Sequence, residues 1–426
     1  MFGALKERLQ YAQFCILHRR SLRAQRKWQG KLLGKMVRHA NANVPMWQGI
    51  FKNASVDPES IRSLEDIEKL PVTNKKTYLG KMAEEYTDSS APALSYWYVT
   101  SGTSGMPFTF LMSGHARSAL YSDFGSLRFL WWLGESLSRI QTIDFARVKI
   151  RSTRRKHRFF LSVQDYLKDP RGALEKISAF KPEIIGTYPS LLLDMARLVK
   201  EEPALRNPQL TYAMSFGETL MPSVRRSVEE GLSVEVYDRY GLEEIGAVGV
   251  ECRMHDGFHI NTESVVIEIL GDEGKALPPE TQGRIVVTDL FNFGMPFIRY
   301  DSGDSGKVSC ERCACGLRSP RIWVQGRYSA YLAFPERKIH HLEFDAAMDT
   351  FMNYVFQYQI AKISDSHISA RIIPGPAFND EIPKKITESL RKLVGPDMKI
   401  DVEKVSVIPI TERGKSRIVV DESGSE

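Results

Sequence analysis

The sequence predicts an α/β fold: a large N-terminal domain of βα layers plus antiparallel strands, followed by a small α+β C-terminal domain. Three observations carry this. From about Tyr96 to Asp304, short β-rich runs alternate with amphipathic ones: EIIGTYPS leads into LLLDMARLVKEE, TYAMSFGET leads into MPSVRRSVEEGL, and SVEVYDRYG follows. Repeated strand–turn–helix units stack helices on a sheet and place ligand sites at the carboxyl ends of strands. From Phe258 to Thr288, apolar and polar residues alternate (HINTESVVIEIL, then GRIVVTDL), the period of antiparallel strands, around a turn near Asp272. Past VQGRYSA the plan changes: FQYQIAKI and HISARIIPG read as paired strands, DEIPKKITESLRKLVG as a helix and MKIDVEKVSVIP as a strand.

Taken in order, residues from Leu5 to about Ala42 read as helical, with Leu9, Phe14, Leu17 and Leu22 at helical spacing among charges. The expected boundaries are residues 1–327 for the large domain, with a helical lead-in over 1–50, and residues 328–426 for the small one. The composition is that of a globular chain: 426 residues, 42% hydrophobic, 26% charged, net charge +6. Basic residues gather between Lys6 and Lys35 and between Arg147 and Arg158, read as solvated faces. No interleaved aromatic pattern accompanies them, so nucleic acid is not an expected partner. MFGALKERLQYAQ lacks the apolar core of a secretory signal, and no stretch approaches the roughly 18 apolar residues of a membrane span. The expected location is cytoplasmic, where five sparse cysteines are not a disulfide framework.

Five segments bear chemistry. TSGTSGMP, Thr100 to Pro107, offers backbone N–H groups and hydroxyls after a strand, as a polyphosphate requires, although the same residues make an ordinary surface turn. It is not a Walker loop, because no lysine follows its last glycine. In YDRYGLEEIG, an aromatic beside glycine suits stacking on a flat base, and Glu244 suits a magnesium ion bridging phosphates. Glu243 and Glu244 equally fit an acidic pair at a helix start. FIRYDSGDSG places Asp304 in a Gly-rich turn, where an acid grips ribose hydroxyls, with Arg299 nearby; a Gly-Asp hairpin is the plainer reading. Arg327 in QGRYS stands at the expected boundary, and Lys415 in TERGKSRI on a loop between strands.

In their order and spacing, these segments resemble the superfamily of adenylate-forming enzymes: acyl-CoA synthetases, nonribosomal-peptide adenylation domains and luciferase. The likeness is greatest to phenylacetate–CoA ligase and the capsule-biosynthesis and deazaflavin-coenzyme-adenylating proteins grouped with it. It extends to HANANVPMWQGIF and LPVTNKKTY at the N-terminus, to GTYPS and to SFGETLMPSVR. The resemblance implies an ATP-dependent ligase that makes an acyl-adenylate from a small carboxylic acid and passes it to coenzyme A or a carrier-protein thiol. It implies that Thr100, Ser101, Gly102, Thr103, Ser104 and Gly105 clasp phosphates. Gly217, Glu218, Thr219, Tyr237, Asp238, Tyr240 and Gly241 would border the nucleotide, with Glu218 and Tyr240 at the adenine. Asp304 would hold the ribose with Arg327 near it, Glu244 would assist magnesium, and Lys415 would enter for the first half-reaction. It also implies a small domain that rotates about a linker near Ser329 between the two steps.

The chain departs from the family pattern at Glu243, where Thr or Ser is usual, and at Met106, where Lys or Arg is common. GRYSAYLAFPERKIHHLEF resembles the shorter hairpin of the capsule-type relatives, which weakens the inference to coenzyme A itself. Other readings stay open: transfer of AMP to a hydroxyl, acyl transfer to an amine or sugar, or a nucleotide-binding scaffold without catalysis. The acid is not legible; Trp131, Trp132 and Tyr188 are candidate walls of its pocket.

Cys313 and Cys315 form a C-x-C-G step three residues after Cys310, and ECRMHDGFHI upstream offers Cys252, His255 and His259. Thiolates and imidazole suit tetrahedral zinc. The first choice of ligands is Cys252, His259, Cys313 and Cys315, with His255 or Cys310 as substitutes. The plainer reading is a set of free thiols. Cys15, on a helix face, reads as core packing.

Overall fold

A computed structural model describes residues 16–17, 19–88, 96–99, 109–112, 142–146, 153–154, 158–327, 331–351, 354–375, 377–408 and 418–424. The chain divides into two compact units, residues 1–139 with 237–326 and residues 140–236 with 327–426.

The first unit is built on strands in the order Val265–Leu270, Gly283–Asp289, Tyr300–Ser309, Arg321–Arg327, Phe258–Ile260, Gly246–Glu251 and Glu235–Leu242. Val265 faces Asp289 and Leu270 faces Arg284, so the alternation read in this stretch is the pleat of an antiparallel pair. HINTES breaks that alternation. Asn261 Nδ2 donates to Ala247 O at 3.0 Å and Ser264 N to Asn261 O at 2.9 Å. A side-chain-locked turn therefore separates two strands.

The Leu22–Asn43 helix starts at Ser21, whose hydroxyl accepts from Ala24 N at 3.3 Å. Leu33, Met36, Val37 and Ala40 recur at helical spacing and are fully buried. Trp28 Nε1 donates to Glu263 O at 3.1 Å and Gln29 Nε2 to Val265 O at 2.8 Å, which fixes the helix beside the strands. Pro45 opens the Pro45–Asn53 helix, whose Trp47 and Phe51 enter the same core. The lead-in LPVTNKKTY runs alongside Tyr300: Thr73 N donates to Arg299 O at 2.9 Å, and Asp301 N to Thr73 O at 2.8 Å.

In the second unit, Tyr212–Phe216, Ile184–Thr187, Thr142–Ala146 and Arg158–Ser162 form a parallel array in that order. Ile184–Thr187 is buried throughout, as a parallel strand covered on both faces must be. The helices Pro170–Phe180, Pro189–Glu201 and Pro222–Leu232 each begin with proline in the first turn, and Leu191, Leu192, Ala196 and Val228 pack into their common core.

Residues 331–424 carry a separate core in which Phe344, Ile360, Ile368, Ile386 and Leu390 are fully buried. Its sheet has the order Lys399–Lys404, His367–Pro374, Val355–Ser364, Val419–Asp421, with an antiparallel pair at the centre and a parallel strand on each side. The helices His341–Met348 and Ile382–Val394 cover it; Ile382, Ile386 and Leu390 form the buried stripe of the latter. This is the expected α+β part, and with the larger α/β part it gives the expected fold class. Among the described residues, no helix is long and apolar enough to cross a membrane.

Candidate active site and a cysteine–histidine cluster

Two motif acids of the first unit are each held by a phenol. The strands Glu235–Leu242 and Gly246–Glu251 form a hairpin in which Leu242 pairs with Gly246. Glu243, Glu244 and Ile245 make its tip, so these acids occupy a tight turn, not a helix start. Gly246 closes the turn at φ +94, a conformation that favours glycine. Gly241 lies so close to the returning strand that a Cβ would sit 2.6 Å from Gly246 O. The tip presents Glu244, whose Oε1 accepts from Tyr300 Oη at 2.7 Å.

Asp304 lies within the strand Tyr300–Ser309, a correction to the turn expected for it. It is 7% exposed, and its Oδ2 accepts from Tyr240 Oη at 2.7 Å. The strands bearing Tyr240 and Asp304 are separated by three others in the sheet order, so this contact requires the sheet to curl strongly. Tyr240 itself is half-buried, whereas Tyr237 is buried with its ring 4.9 Å from that of His255. Asp238 is buried, its N donating to Glu251 Oε2 at 2.9 Å.

Arg299 does not stand by as a ribose partner. Its guanidinium meets Glu268 in two bonds of 3.0 and 2.8 Å and donates to Leu70 O at 2.6 Å. Burial pushes the Glu268 carboxyl up, and the Arg299 charge opposes that shift.

In the second unit, the SFGE and GTYPS segments meet. Glu218 accepts from Ser190 N and from Ser190 Oγ, both at 3.1 Å, so a carboxylate sits at the start of the Pro189–Glu201 helix, where the helix dipole favours it. Gly217 and Thr219 flank it and are exposed. Tyr188 is buried against Phe216, with ring centroids 5.6 Å apart. Arg327 ends the strand Arg321–Arg327. Thr100 to Gly105, Met106, Trp131, Trp132 and Lys415 lie outside the described residues.

The cysteine–histidine cluster is complete. The donor atoms of Cys252, His259, Cys313 and Cys315 all lie within 4.8 Å of one another. Cys252 directly follows the strand Gly246–Glu251, and His259 lies on the neighbouring strand, opposite Val250. Cys313 and Cys315 come from the loop between Tyr300–Ser309 and Arg321–Arg327, the latter pairing Arg321 with His259. Cys252 Sγ is 3.6 Å from Cys313 Sγ, and Cys315 Sγ is 3.3 Å from His259 Nε2. Bonds of about 2.3 Å to sulfur at tetrahedral angles set two ligand sulfurs about 3.8 Å apart, so the donor set fits a zinc ion.

His259 Nδ1 faces Ser319 O at 3.2 Å and Ser319 Oγ at 3.0 Å, which turns Nε2 toward the thiols. Hydrogen bonding from Cys252 holds Cys315 far below the ordinary thiol range, and the same contact pushes Cys252 up. Cys310 is exposed, and His255 Nδ1 lies 3.2 Å from Glu251 Oε2. Neither substitute joins the cluster. Two further residues escape a reading by residue type. Ser319 had no signal in the sequence, and Tyr300 lay inside a quoted motif but looks there like core.

Residues 333–422 match a protein-family model described as the CapK C-terminal domain. The chain is 25% identical to a phenylacetate-coenzyme A ligase of Thermus thermophilus, over 95% of this chain and 97% of that one. It is 23% identical to a phenylacetate-coenzyme A ligase of Aromatoleum evansii, over 92% of each. Among solved structures it resembles a 2-hydroxyisobutyryl-CoA ligase in the postadenylation state, with a TM-score of 0.78 and 20% identity over 95% of this chain and 91% of that one. The chain is thus similar along nearly its whole length to phenylacetate-coenzyme A ligases, matches the CapK model in its C-terminal part, and shares the fold of a 2-hydroxyisobutyryl-CoA ligase.

Proposed function

We propose that the chain activates a small carboxylic acid with ATP, releases pyrophosphate, and transfers the acyl group from the adenylate to a thiol, with coenzyme A first among acceptors. The observation that carries this is the pairing of Glu244 with Tyr300 and of Asp304 with Tyr240 in one unit. Two acids from separate motifs are thereby held in fixed orientation.

In the first step, a carboxylate oxygen of the acid attacks the α-phosphorus and the bond to the β-phosphate breaks. In the second, a thiolate attacks the acyl carbon and AMP leaves. Both partners of the first step are anionic, so the site must supply positive charge and orientation. Asp304 would grip the ribose with Arg327 near it. Glu218, Tyr240 and Gly241 would border the adenine, with Gly217, Thr219, Tyr237 and Asp238 shaping that wall. The hydroxyls and amides of Thr100 to Gly105 would bind phosphates, and Lys415 would neutralise the charge developing at the α-phosphate. Glu244 is the side chain that would hold magnesium, which supplies counter-charge to the polyphosphate. Residues 328–426 would move as a domain to remove Lys415 before the second step. Cys252, His259, Cys313 and Cys315 would hold a structural zinc, since four protein ligands leave no open position. A cytoplasmic location accords with these thiols.

A second reading, acyl or AMP transfer to an amine or hydroxyl, is favoured by one observation: the C-terminal part matches the CapK model. The test is exchange of labelled pyrophosphate into ATP across aryl, fatty and amino acids. Acid-dependent exchange supports adenylation. Release of AMP only after coenzyme A is added favours the thiol over an amine or hydroxyl. Absence of exchange from folded, ATP-binding protein counts against the proposal.

A further inference from the structure

Tyr300 is 2% exposed, and its hydroxyl donates to one carboxylate oxygen of Glu244. The phenol comes from a segment clamped along its length by the lead-in. Thr73 brackets it through Arg299 O and Asp301 N, and Thr73 Oγ1 donates to Ile298 O at 2.9 Å. Arg299, buried and in the left-handed region at φ +46, reaches Leu70 O while paired with Glu268. Tyr78 Oη donates to Pro296 O at 3.1 Å, and the Tyr78 ring meets that of Tyr300 edge-on at 6.2 Å. Glu244, by contrast, sits on a hairpin tip, where the backbone does not by itself set the direction of a long side chain.

Resting on the reading of Glu244 as a magnesium ligand, we propose that Tyr300 is the positioning residue for Glu244, and that the lead-in segment Leu70–Tyr78 holds Tyr300 in register. One carboxylate oxygen bound to a buried phenol fixes the direction of the other. The segment LPVTNKKTY then acts on the reaction from a distance, through the 296–301 segment and one hydroxyl. Its role is to orient a ligand, not to touch substrate.

Tyr300→Phe removes the hydroxyl and keeps the ring. Loss of such a supporting partner costs about 10–100-fold in metal affinity or activity. The dissociation constant of magnesium from the protein–ATP complex, measured by isothermal titration calorimetry, and the half-saturating free magnesium in pyrophosphate exchange are therefore each expected to rise by about that factor, with the KM of the acid unchanged. A double-mutant cycle separates orientation from mere packing: in a Glu244→Gln background, Tyr300→Phe is expected to cause no further loss. If Tyr300→Phe destabilises the fold too far to assay, Thr73→Val, which loses one peripheral hydrogen bond, is expected to raise the magnesium requirement by a smaller factor. An unchanged magnesium requirement in folded variants, or additive losses in the cycle, overturns the inference. Wild-type protein assayed alongside keeps the two failures apart. No acid-dependent exchange in wild type defeats the functional reading itself, whereas normal wild-type exchange with an indifferent Tyr300→Phe defeats only this inference.

Discussion

The cysteine–histidine cluster and the Glu244–Asp304 residues lie in the same unit, on neighbouring strands and turns of one sheet, yet they are finished differently. At the cluster, four donors converge on one point, and the histidine's remaining nitrogen is committed to Ser319. At the acid site, each carboxylate has a phenol on one oxygen. The cluster gathers four donors around a point; each acid is steadied by one phenol from another strand. Under the proposed roles, the difference separates a structural site, whose donors the protein brings together by itself, from one whose acids are oriented for a reaction.

The largest effect that tests this contrast is loss of the cluster. Cys313→Ser is expected to lower bound zinc from one per chain to near zero, and to destabilise the first unit by several kcal/mol, part of the roughly 10–16 kcal/mol typical of structural zinc. Cys310→Ser should leave zinc content and Tm unchanged. Metal analysis and thermal melts measure both, and a stable, zinc-free wild type would place the cluster with ordinary buried thiols.

Next in size is Glu244→Gln, expected to lower the exchange rate by about 10²–10³-fold while Tm stays near wild type. Here the loss should fall on rate and not on stability, the reverse of Cys313→Ser. Equal losses of both would erase the distinction between the two sites.

The smallest effect concerns a third phenol–carboxylate pair, the one that ought to be inert. In the small C-terminal region, Tyr358 donates to Asp345, which is 4% exposed and whose Oδ2 has no hydrogen-bond partner among the described residues. Burial raises this carboxyl from 3.8 to about 6. Because the folded value lies above the unfolded one, the protonated acid favours folding. That stabilisation is complete below about pH 4 and is lost as pH rises through about 6. Asp345→Asn should remove this pH dependence, worth of order 2 kcal/mol, from denaturant melts across the window. An unchanged profile would show that the acid does not titrate there.

Legibility in the sequence followed the range of the forces involved. Parallel strands such as IIGT and amphipathic helices such as PSLLLDMARLVKE announce themselves, because periodicity is local and burial enforces it. The cluster of Cys252, His259, Cys313 and Cys315 was legible because few other structures use those residue types at that spacing. Asp304 was misplaced into a turn because Gly303 and the neighbouring serines look like one; the strand carries them instead as an irregularity, with Asp301 and Ser305 paired on either side and Gly303 at φ +78. Arg299 was linked to the ribose by proximity in sequence, yet its charge is consumed by Glu268, 31 positions away. Tyr300 was passed over for the same reason: its partner, Glu244, is 56 positions distant and its hydroxyl's target is set by tertiary packing. Side-chain pairings across such distances leave no periodic trace.

On the proposed function, a carboxylic acid is joined to AMP on this protein. The direct measurement is rapid acid quench of enzyme mixed with ATP, magnesium and a substrate acid found by exchange, followed by mass spectrometry. The account predicts a species with the mass of the acid plus AMP, in step with pyrophosphate release, disappearing when coenzyme A is added as a thioester and AMP form. Pyrophosphate release with AMP attached to a hydroxyl compound, and no acyl-adenylate at any quench time, would contradict it.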